Sequence, residues 1–589
     1  MKFPPFRYLL IACTALLATG TLIVRGNSCG HDFDFHLLSW MEVARAWHTG
    51  LLYPHWVQDA NYGAGEPRLI FYPPASWALG GLLGIICGWY AAPVLFVLLA
   101  LAAAGAAMYR LAREWAGPEA ATFAACLYIA NPYVMFAAYE RSALGEVLAA
   151  AWFPWMVLFA LRTRSSMAAL GLSVGALWLT NAPAAVVGSY LLALLAVAMW
   201  VAEGRPRTAL RAAGGMILGL GLAAFYIVPA IVQQRWVQIE RAINPGMRVE
   251  DSFLFGHTAD AFHDQVLHKA SWIFVAEMAF ATIAAYLAWR KRADGAARVS
   301  LSVCLPVILL LQLPLSEAIW KYTPHMKFLQ FPWRWLLALN VAMCVLAAMA
   351  VERPGDTSSA AISGPWRSTR GSAHPPLNLS GGSAPGVTPG FTMTAAALIA
   401  ALAIGGGLLF FQPCDDEDAV VAQIAGFRLG TGTGGTDEYT PRRADNALVQ
   451  QHLPLVRIVR GAQDDEASEA EGANPEWQAG GPGSLQAKVE AKRQNVEHWR
   501  VSVSTPEGGY AVFRLMDFPS WRVTVDGKPS PVRPMRKDGL LAVPIGAGSH
   551  DIRVEWIATW DVIAGTAISV IALLAVAGVA IKERRERQV

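Results

Sequence analysis

Runs of about 20 apolar residues recur along this chain, and nothing else in it constrains the fold so strongly. "APVLFVLLALAAAGAAMY" (92–109) and "VIAGTAISVIALLAVAGVAI" (562–581) are two of them. Inside a bilayer every backbone N–H and C=O must find a partner within the protein, so runs of this length form helices. Of 589 residues, 54% are hydrophobic and only 15% charged, the composition of a polytopic membrane protein. The expected fold is mainly α, with about twelve transmembrane helices and a small extracytoplasmic β-sandwich-like domain. A net charge of +3 gives no whole-molecule basic field, so no nucleic-acid partner is expected.

Lys and Arg collect in cytoplasmic loops, and this rule sets the topology. Starting inside with Lys2 and Arg7, a first helix over 8–24 exits at "GHDFDFH" (30–36). If 71–90 ("FYPPASWALGGLLGIICGWY") spans, Arg110 and Arg113 fall outside; if it is re-entrant or interfacial, every basic cluster falls inside. The second reading is adopted. The spans are then 8–24, 91–113, 119–138, 147–161, 167–182, 184–201, 212–232, 271–290, 299–316, 332–351, 392–411 and 557–581, with "TNAP" (180–183) marking a hairpin or a break. Both termini are expected in the cytoplasm and the active face outside the cell (inner or plasma) membrane. The basic start resembles a signal peptide, but no small-x-small cleavage site follows it, so it is read as helix one.

The domain reading is a transmembrane catalytic module over 1–352 with its first outer loop at 25–90, and a flexible cytoplasmic linker over 353–391, rich in Ser, Gly and Pro. A helix at 392–411, an extracytoplasmic β-rich domain at 412–556, and a last helix with a basic tail at 557–589 follow. The strand signal is the alternation of "WRVTVDGKP" into an Asp-Gly turn, and again of "HDIRVEWI". Of seven cysteines, Cys13, Cys87, Cys126, Cys304 and Cys344 lie in or beside apolar runs and read as small core residues. Cys29 and Cys414 fall just outside helices on one face, and their pairing stays open.

On this topology the outer face collects charges from loops far apart in sequence. The first loop carries Asp32, Asp34, His36 and Tyr72; the next, "YERSALGEVLA" (139–149), carries Glu140, Arg141 and Glu146; the loop near 317–335 carries Lys321, His325, Lys327 and Arg334. Such an inventory suits sugar transfer from a lipid-linked phosphate. The leaving phosphate is already a stable anion, so the needs are a carboxylate for the acceptor's hydroxyl proton and cations for the phosphate. No G-x-G-x-x-G follows a strand, so no nucleotide-sugar fold is indicated.

Asp32-x-x-Phe35-His36 after helix one resembles the D-x-x-[YF]-H motif of oligosaccharyltransferase catalytic subunits in the GT-C superfamily of membrane glycosyltransferases. "RSALGE" (141–146) is similar to their R-S-x-x-G stretch, although the D-x-E that should end it is reduced to Glu146. A closer likeness is to the bacterial and archaeal membrane proteins labelled 6-pyruvoyl-tetrahydropterin synthase-related. It covers most of the chain: Gly50-x-x-x-Pro54-x-Trp56, "FYPP", Arg141-x-x-x-x-Glu146, "LQFPWR" (329–334), "GTDEYTP" (435–441) and the terminal "FPSWRVTVDGKP". The pterin label does not extend to chemistry, since no H-x-H or comparable zinc cluster appears.

The resemblance implies an integral membrane glycosyltransferase moving a sugar from a polyprenyl-phosphate donor to an envelope glycan, lipid or protein, with inversion. Asp32 is expected as catalytic base or metal ligand, Asp34 and Glu146 as supporting acids, and His36, Arg141, Glu140, Arg334 and Tyr72 as substrate-binding groups. Asp32 and Glu146 are the candidate ligands if a divalent ion, Mg2+ or Mn2+, takes part; transfer without any ion stands beside this. Blander roles are also open: Asp32 or Asp34 as a helix cap, Glu140 and Arg141 as a surface ion pair, Arg334 as an interfacial anchor, and Lys321 and Lys327 as solvated charges. Glu438 and Tyr439 are expected, by resemblance, to pack the outer domain onto the active face. The alternative for the whole chain is a non-catalytic scaffold or a lipid or polysaccharide transporter in envelope assembly; no internal repeat supports a transporter.

Overall fold

The computed structural model describes residues 6–162, 165–204, 206–291, 295–351, 389–416, 419–449, 454–463, 485–530 and 532–588. Most of the linker expected at 353–391 lies outside them. All twelve expected spans are helical. Among the described residues seven helices are long and apolar enough to cross a membrane, or nine if each of two bent pairs is one span. The bent pairs are Arg207–Leu222 with Ala224–Trp236, at 73°, and Gly295–Leu311 with Pro314–Tyr322, at 96°. The other three expected spans are shorter apolar helices: α1 (Phe6–Ala18), which α2 (Gly20–Arg25) continues, Met167–Thr180, and Met393–Leu409. The segment expected to be re-entrant holds a 14-residue helix, Pro74–Cys87. At 1.5 Å per residue it reaches about 21 Å, short of a hydrocarbon core of about 30 Å.

Sequence punctuation explains the breaks. Asn131 Oδ1 accepts from the backbone of Tyr133 and Val134 and starts a new helix at Pro132, whose ring has no N–H to lose. Asn181 does the same at "TNAP": its backbone is extended (φ −155°) and its side chain accepts from Ala184 N, so 167–201 is a helical hairpin.

Among the described residues the β-rich domain is a sandwich of eight antiparallel strands. They are β1 (Val456–Val459), β2 (Lys488–Asn495), β3 (His498–Thr505), β4 (Gly509–Met516), β5 (Trp521–Val525), β6 (Lys528–Pro529), β7 (Leu540–Ile545) and β8 (Gly548–Trp556). One sheet runs β1-β4-β7 and the other β2-β3-β8-β5-β6. Along β3 the apolar Trp499, Val501 and Val503 turn inward and alternate with exposed Arg500, Ser502 and Ser504. Asp526 and Gly527 both take positive φ (51° and 77°), the two-residue turn that matches strand twist, and Val525 pairs with Lys528 across it.

Trp56, from the loop at 49–67, is buried in the sandwich core, with ring centroids 5.1 Å from Trp521 and 5.8 Å from Trp556. The domain is thereby seated on the helical module. A disulfide joins Cys29 to Cys414, tying the loop after α2 to the end of the 389–409 helix. Disulfides persist in oxidising compartments.

Candidate functional site

The backbones of residues 28–32 and 139–142 are laced together. Ser28 Oγ donates to Tyr139 O (2.8 Å), Ser142 Oγ donates to Ser28 O (2.8 Å) and accepts from Gly30 N (3.1 Å), and Asp32 N donates to Arg141 O (2.9 Å). Gly30 is required by this approach, since a Cβ there would sit 2.4 Å from Glu140 O. Ser142 holds the left-handed conformation (φ 48°) that aims its hydroxyl at both partners.

The lacing presents Asp32 to the floor of a cavity of about 1070 Å³. All eight residues expected at the site line it: Asp32, Asp34, His36, Tyr72, Glu140, Arg141, Glu146 and Arg334. Asp32 stands at the N-terminal edge of α3 (Phe33–His48), but its side chain makes no cap hydrogen bond. Asp34 instead accepts from the backbone of Phe35 (2.7 Å), a local helix-start contact. Asp32 Oδ1 accepts from His31 Nδ1 (2.7 Å), Oδ2 lies 3.8 Å from Arg141 Nη2, and about a third of the side chain (33%) stays open. Burial works to raise its pKa, but the His31 hydrogen bond and the Arg141 charge outweigh it and hold the carboxyl well below the usual range. His31 is in turn raised by its bond to Asp32.

Arg141 is the hub. Its guanidinium meets Glu146 Oε2 at 2.9 Å as well as Asp32. Burial favours its neutral form, yet the two carboxylates more than reverse this and keep it cationic. Glu146 also accepts from Tyr133 Oη, and Arg334 Nε lies 3.9 Å from it. The two guanidinium carbons sit 5.9 and 5.2 Å from the centroid of the Phe331 ring. Arg334 is buried, and among the described residues its Nε donates no hydrogen bond, which corrects the interfacial-anchor reading. The surface-pair reading of Glu140 and Arg141 is also corrected: both are buried, and Glu140 pairs with Lys269 (2.6 Å).

His36 is buried beside Tyr72, whose hydroxyl is 3.5 Å from Nε2. Burial lowers its pKa to about 4, so it is neutral at working pH. Lys321, His325 and Lys327 are exposed, although His325 reaches the cavity rim. Among the described residues no group of three or more His, Cys, Asp or Glu could hold a metal ion. Asp32 and Glu146 do not fit a shared divalent ion, because the Arg141 guanidinium bridges them.

Four residues escaped the sequence reading. Arg68 is buried, bonded to Glu66 (2.6 Å), Ser39 and Thr436, and its charge lies 4.2 Å over the Phe35 ring. Lys269 and Tyr133 anchor Glu140 and Glu146. Glu277 accepts from Tyr133 N (3.0 Å) in the middle of a span. The available signals were a lone acid in an apolar run and the Asn-Pro break before Tyr133.

Residues 69–362 match a family of membrane proteins. Its description is 6-pyruvoyl-tetrahydropterin synthase related domain; membrane protein. No curated protein matches the chain. Among solved structures, the mycobacterial arabinofuranosyltransferase AftD is 13% identical with a TM-score of 0.43, covering 95% of this chain and 58% of that one. The arabinosyltransferase EmbB from Mycobacterium smegmatis is 14% identical with a TM-score of 0.34, over 95% and 64%. ArnT from Cupriavidus metallidurans, bound to undecaprenyl phosphate, is 13% identical with a TM-score of 0.27, over 58% and 76%. The chain thus spans less than two thirds of the length of AftD and EmbB.

Proposed function

We propose that this chain is a GT-C-type glycosyltransferase that moves a sugar from a polyprenyl-phosphate donor to an acceptor on the outer face of the membrane. The observation that carries this reading is a cavity in which a partly open Asp32, its pKa held below the usual carboxylate range, lies with two buried guanidiniums, Arg141 and Arg334. A scaffold has no need to bury charges around an open carboxylate, where each unpaired ion costs several kcal/mol.

The acceptor hydroxyl attacks the anomeric carbon from the side opposite the phosphate. The new C–O bond forms as the C–O bond to phosphate breaks, and that bond's electron pair leaves with the polyprenyl phosphate. Arg141 and Arg334 meet the growing phosphate charge. Asp32, held anionic, is a weak base towards a free hydroxyl; it takes the proton once bond formation has acidified that hydroxyl. Neutral His36 and Tyr72 orient the sugar or phosphate as hydrogen-bonding groups. Attack opposite the leaving group inverts the anomeric centre. Carboxylates already paired to Arg141 perform these roles without a bridging metal.

The test is transfer by the purified full chain in nanodiscs from a panel of radiolabelled polyprenyl-phosphate pentoses and hexoses to envelope extracts. Labelled product of inverted anomeric configuration is expected from at least one donor. Absence of product from every donor, with folded protein, refutes the reading.

A further inference from the structure

Seven carboxylates line the cavity, and six of them meet another residue, although Glu140 Oε2 is left without a partner among the described residues. Asp32 holds His31 and Arg141, Asp34 the Phe35 amide, Glu140 Lys269, and Glu146 Arg141. Asp260 caps the backbone of Phe262 and His263, and Asp437 accepts from Asn446 Nδ2 (3.2 Å). The seventh, Glu438, is half-buried and has, among the described residues, no side-chain partner beyond its own backbone amide. Its oxygens stay accessible, so a ligand's hydroxyls can replace water on them as donors in charge-assisted hydrogen bonds.

Its loop is fixed before any ligand arrives. Thr433 N donates to Asp59 O and Tyr62 N to Thr433 O, both at 2.8 Å. Thr436 donates through N and Oγ1 to the two carboxylate oxygens of Glu66 (2.8 and 3.0 Å), and Arg68 Nη2 donates to Thr436 Oγ1 (3.1 Å). Gly435 passes so close to Asn61 that a Cβ would lie 1.7 Å from its Oδ1. On the other side the Tyr439 ring stacks on Phe71 at 5.4 Å and 3°. Glu438 therefore hangs between two anchors, Thr436 and Tyr439, and faces the same cavity as Asp32.

We propose that Glu438 reads sugar hydroxyls: its two carboxylate oxygens accept from neighbouring hydroxyls of a neutral pyranose or furanose, making it the specificity-determining group of the cavity. Charge-assisted hydrogen bonds of this kind are strong and directional. Burial raises the Glu438 pKa, with Glu66 and Asp437 adding to it and Arg68 opposing; the test therefore sets a neutral sugar against an ammonium-bearing one. The proposal rests on the cavity being a sugar site and not on Asp32 acting as base.

The experiment is equilibrium binding to the full chain in nanodiscs, with turnover measured in parallel. The probes are bare polyprenyl phosphate, the same lipid carrying a neutral pentose or hexose, the same lipid carrying an amino sugar, and free neutral oligosaccharides. Wild type is expected to bind a neutral-sugar probe about tenfold or more tighter than its sugar-free or amino-sugar counterpart. Glu438→Ala should erase that preference while binding bare lipid as before, and Glu438→Gln should restore part of it. Preference among the lipid-linked probes that Glu438→Ala erases assigns Glu438 to the donor sugar; loss of free-oligosaccharide binding in Glu438→Ala assigns it to the acceptor. Neutral-sugar preference without turnover supports the proposal and refutes the transferase reading. An unchanged preference in Glu438→Ala, no preference in wild type, or a preference for the amino sugar overturns it.

Discussion

Gly30→Ala tests the lacing beneath Asp32. The added Cβ would stand 2.4 Å from Glu140 O and 2.8 Å from Arg141 C, where ordinary contact begins at 3.4 Å. Both obstacles are backbone, so neither can rotate away. The 28–32 and 139–142 segments must part by about 1 Å to make room, at a strain of about 1–3 kcal/mol for overpacking. Parting them also stretches the hydrogen bonds that Gly30 N and Asp32 N donate to Ser142 Oγ and Arg141 O, each worth about 1 kcal/mol. Asp32, two residues on, moves with its backbone. A displacement of about 1 Å at a reacting group costs about 100-fold in rate. The assay pairs thermal unfolding in nanodiscs with transfer rate. The expected outcome is a modestly lower melting temperature and a rate reduced by about two orders of magnitude. A variant with wild-type melting and wild-type transfer would refute the claim that this approach positions Asp32.

Three further outcomes are expected. Glu146→Gln keeps an acceptor for Tyr133 but leaves the Arg141 charge with only Asp32 at 3.8 Å; a loss near the lower end of about 3–5 kcal/mol should appear in unfolding, and unchanged stability would contradict the hub. His36 has a folded pKa of about 4 against an ordinary value of 6.5. Between those values the unfolded chain binds a proton that the folded one does not, so stability falls as pH drops through that window, by at most about 3 kcal/mol. Unfolding at pH 7.5 and 5 should show a smaller difference for His36→Asn than for wild type; equal differences would place the pH response elsewhere. Finally, alkylation followed by mass spectrometry should leave Cys29 and Cys414 unlabelled until reduction, whereas labelling without reductant would exclude the bridge.

The sequence carried much of this arrangement wherever a signal is local. Apolar runs announce helices, the Asp526-Gly527 pair announces its hairpin, and Asn131-Pro132 and Asn181 mark breaks because their effects act on neighbouring residues. Asp32, Arg141, Glu146 and Arg334 were legible as a set because charges beside apolar runs are expensive and therefore purposeful. Their partners were not legible. Glu140 meets Lys269 across 129 residues, and Arg68 meets Thr436 across 368; such pairings depend on tertiary packing, which no local pattern encodes. The surface reading of Glu140 and Arg141 failed for the same reason, since burial of a loop is decided by the helices that surround it. Glu438 was legible only as a packing residue, because a carboxylate lacking a partner is recognised only after every neighbour's partner is known.

The central claim is that Asp32 takes the acceptor's proton in this cavity, and the most direct test compares transfer by wild type and Asp32→Asn with a donor that wild type uses. Asparagine keeps the size of the side chain and removes the base. The account predicts wild-type folding and a loss of about 100-fold or more in transfer. Transfer by Asp32→Asn at the wild-type rate would contradict it.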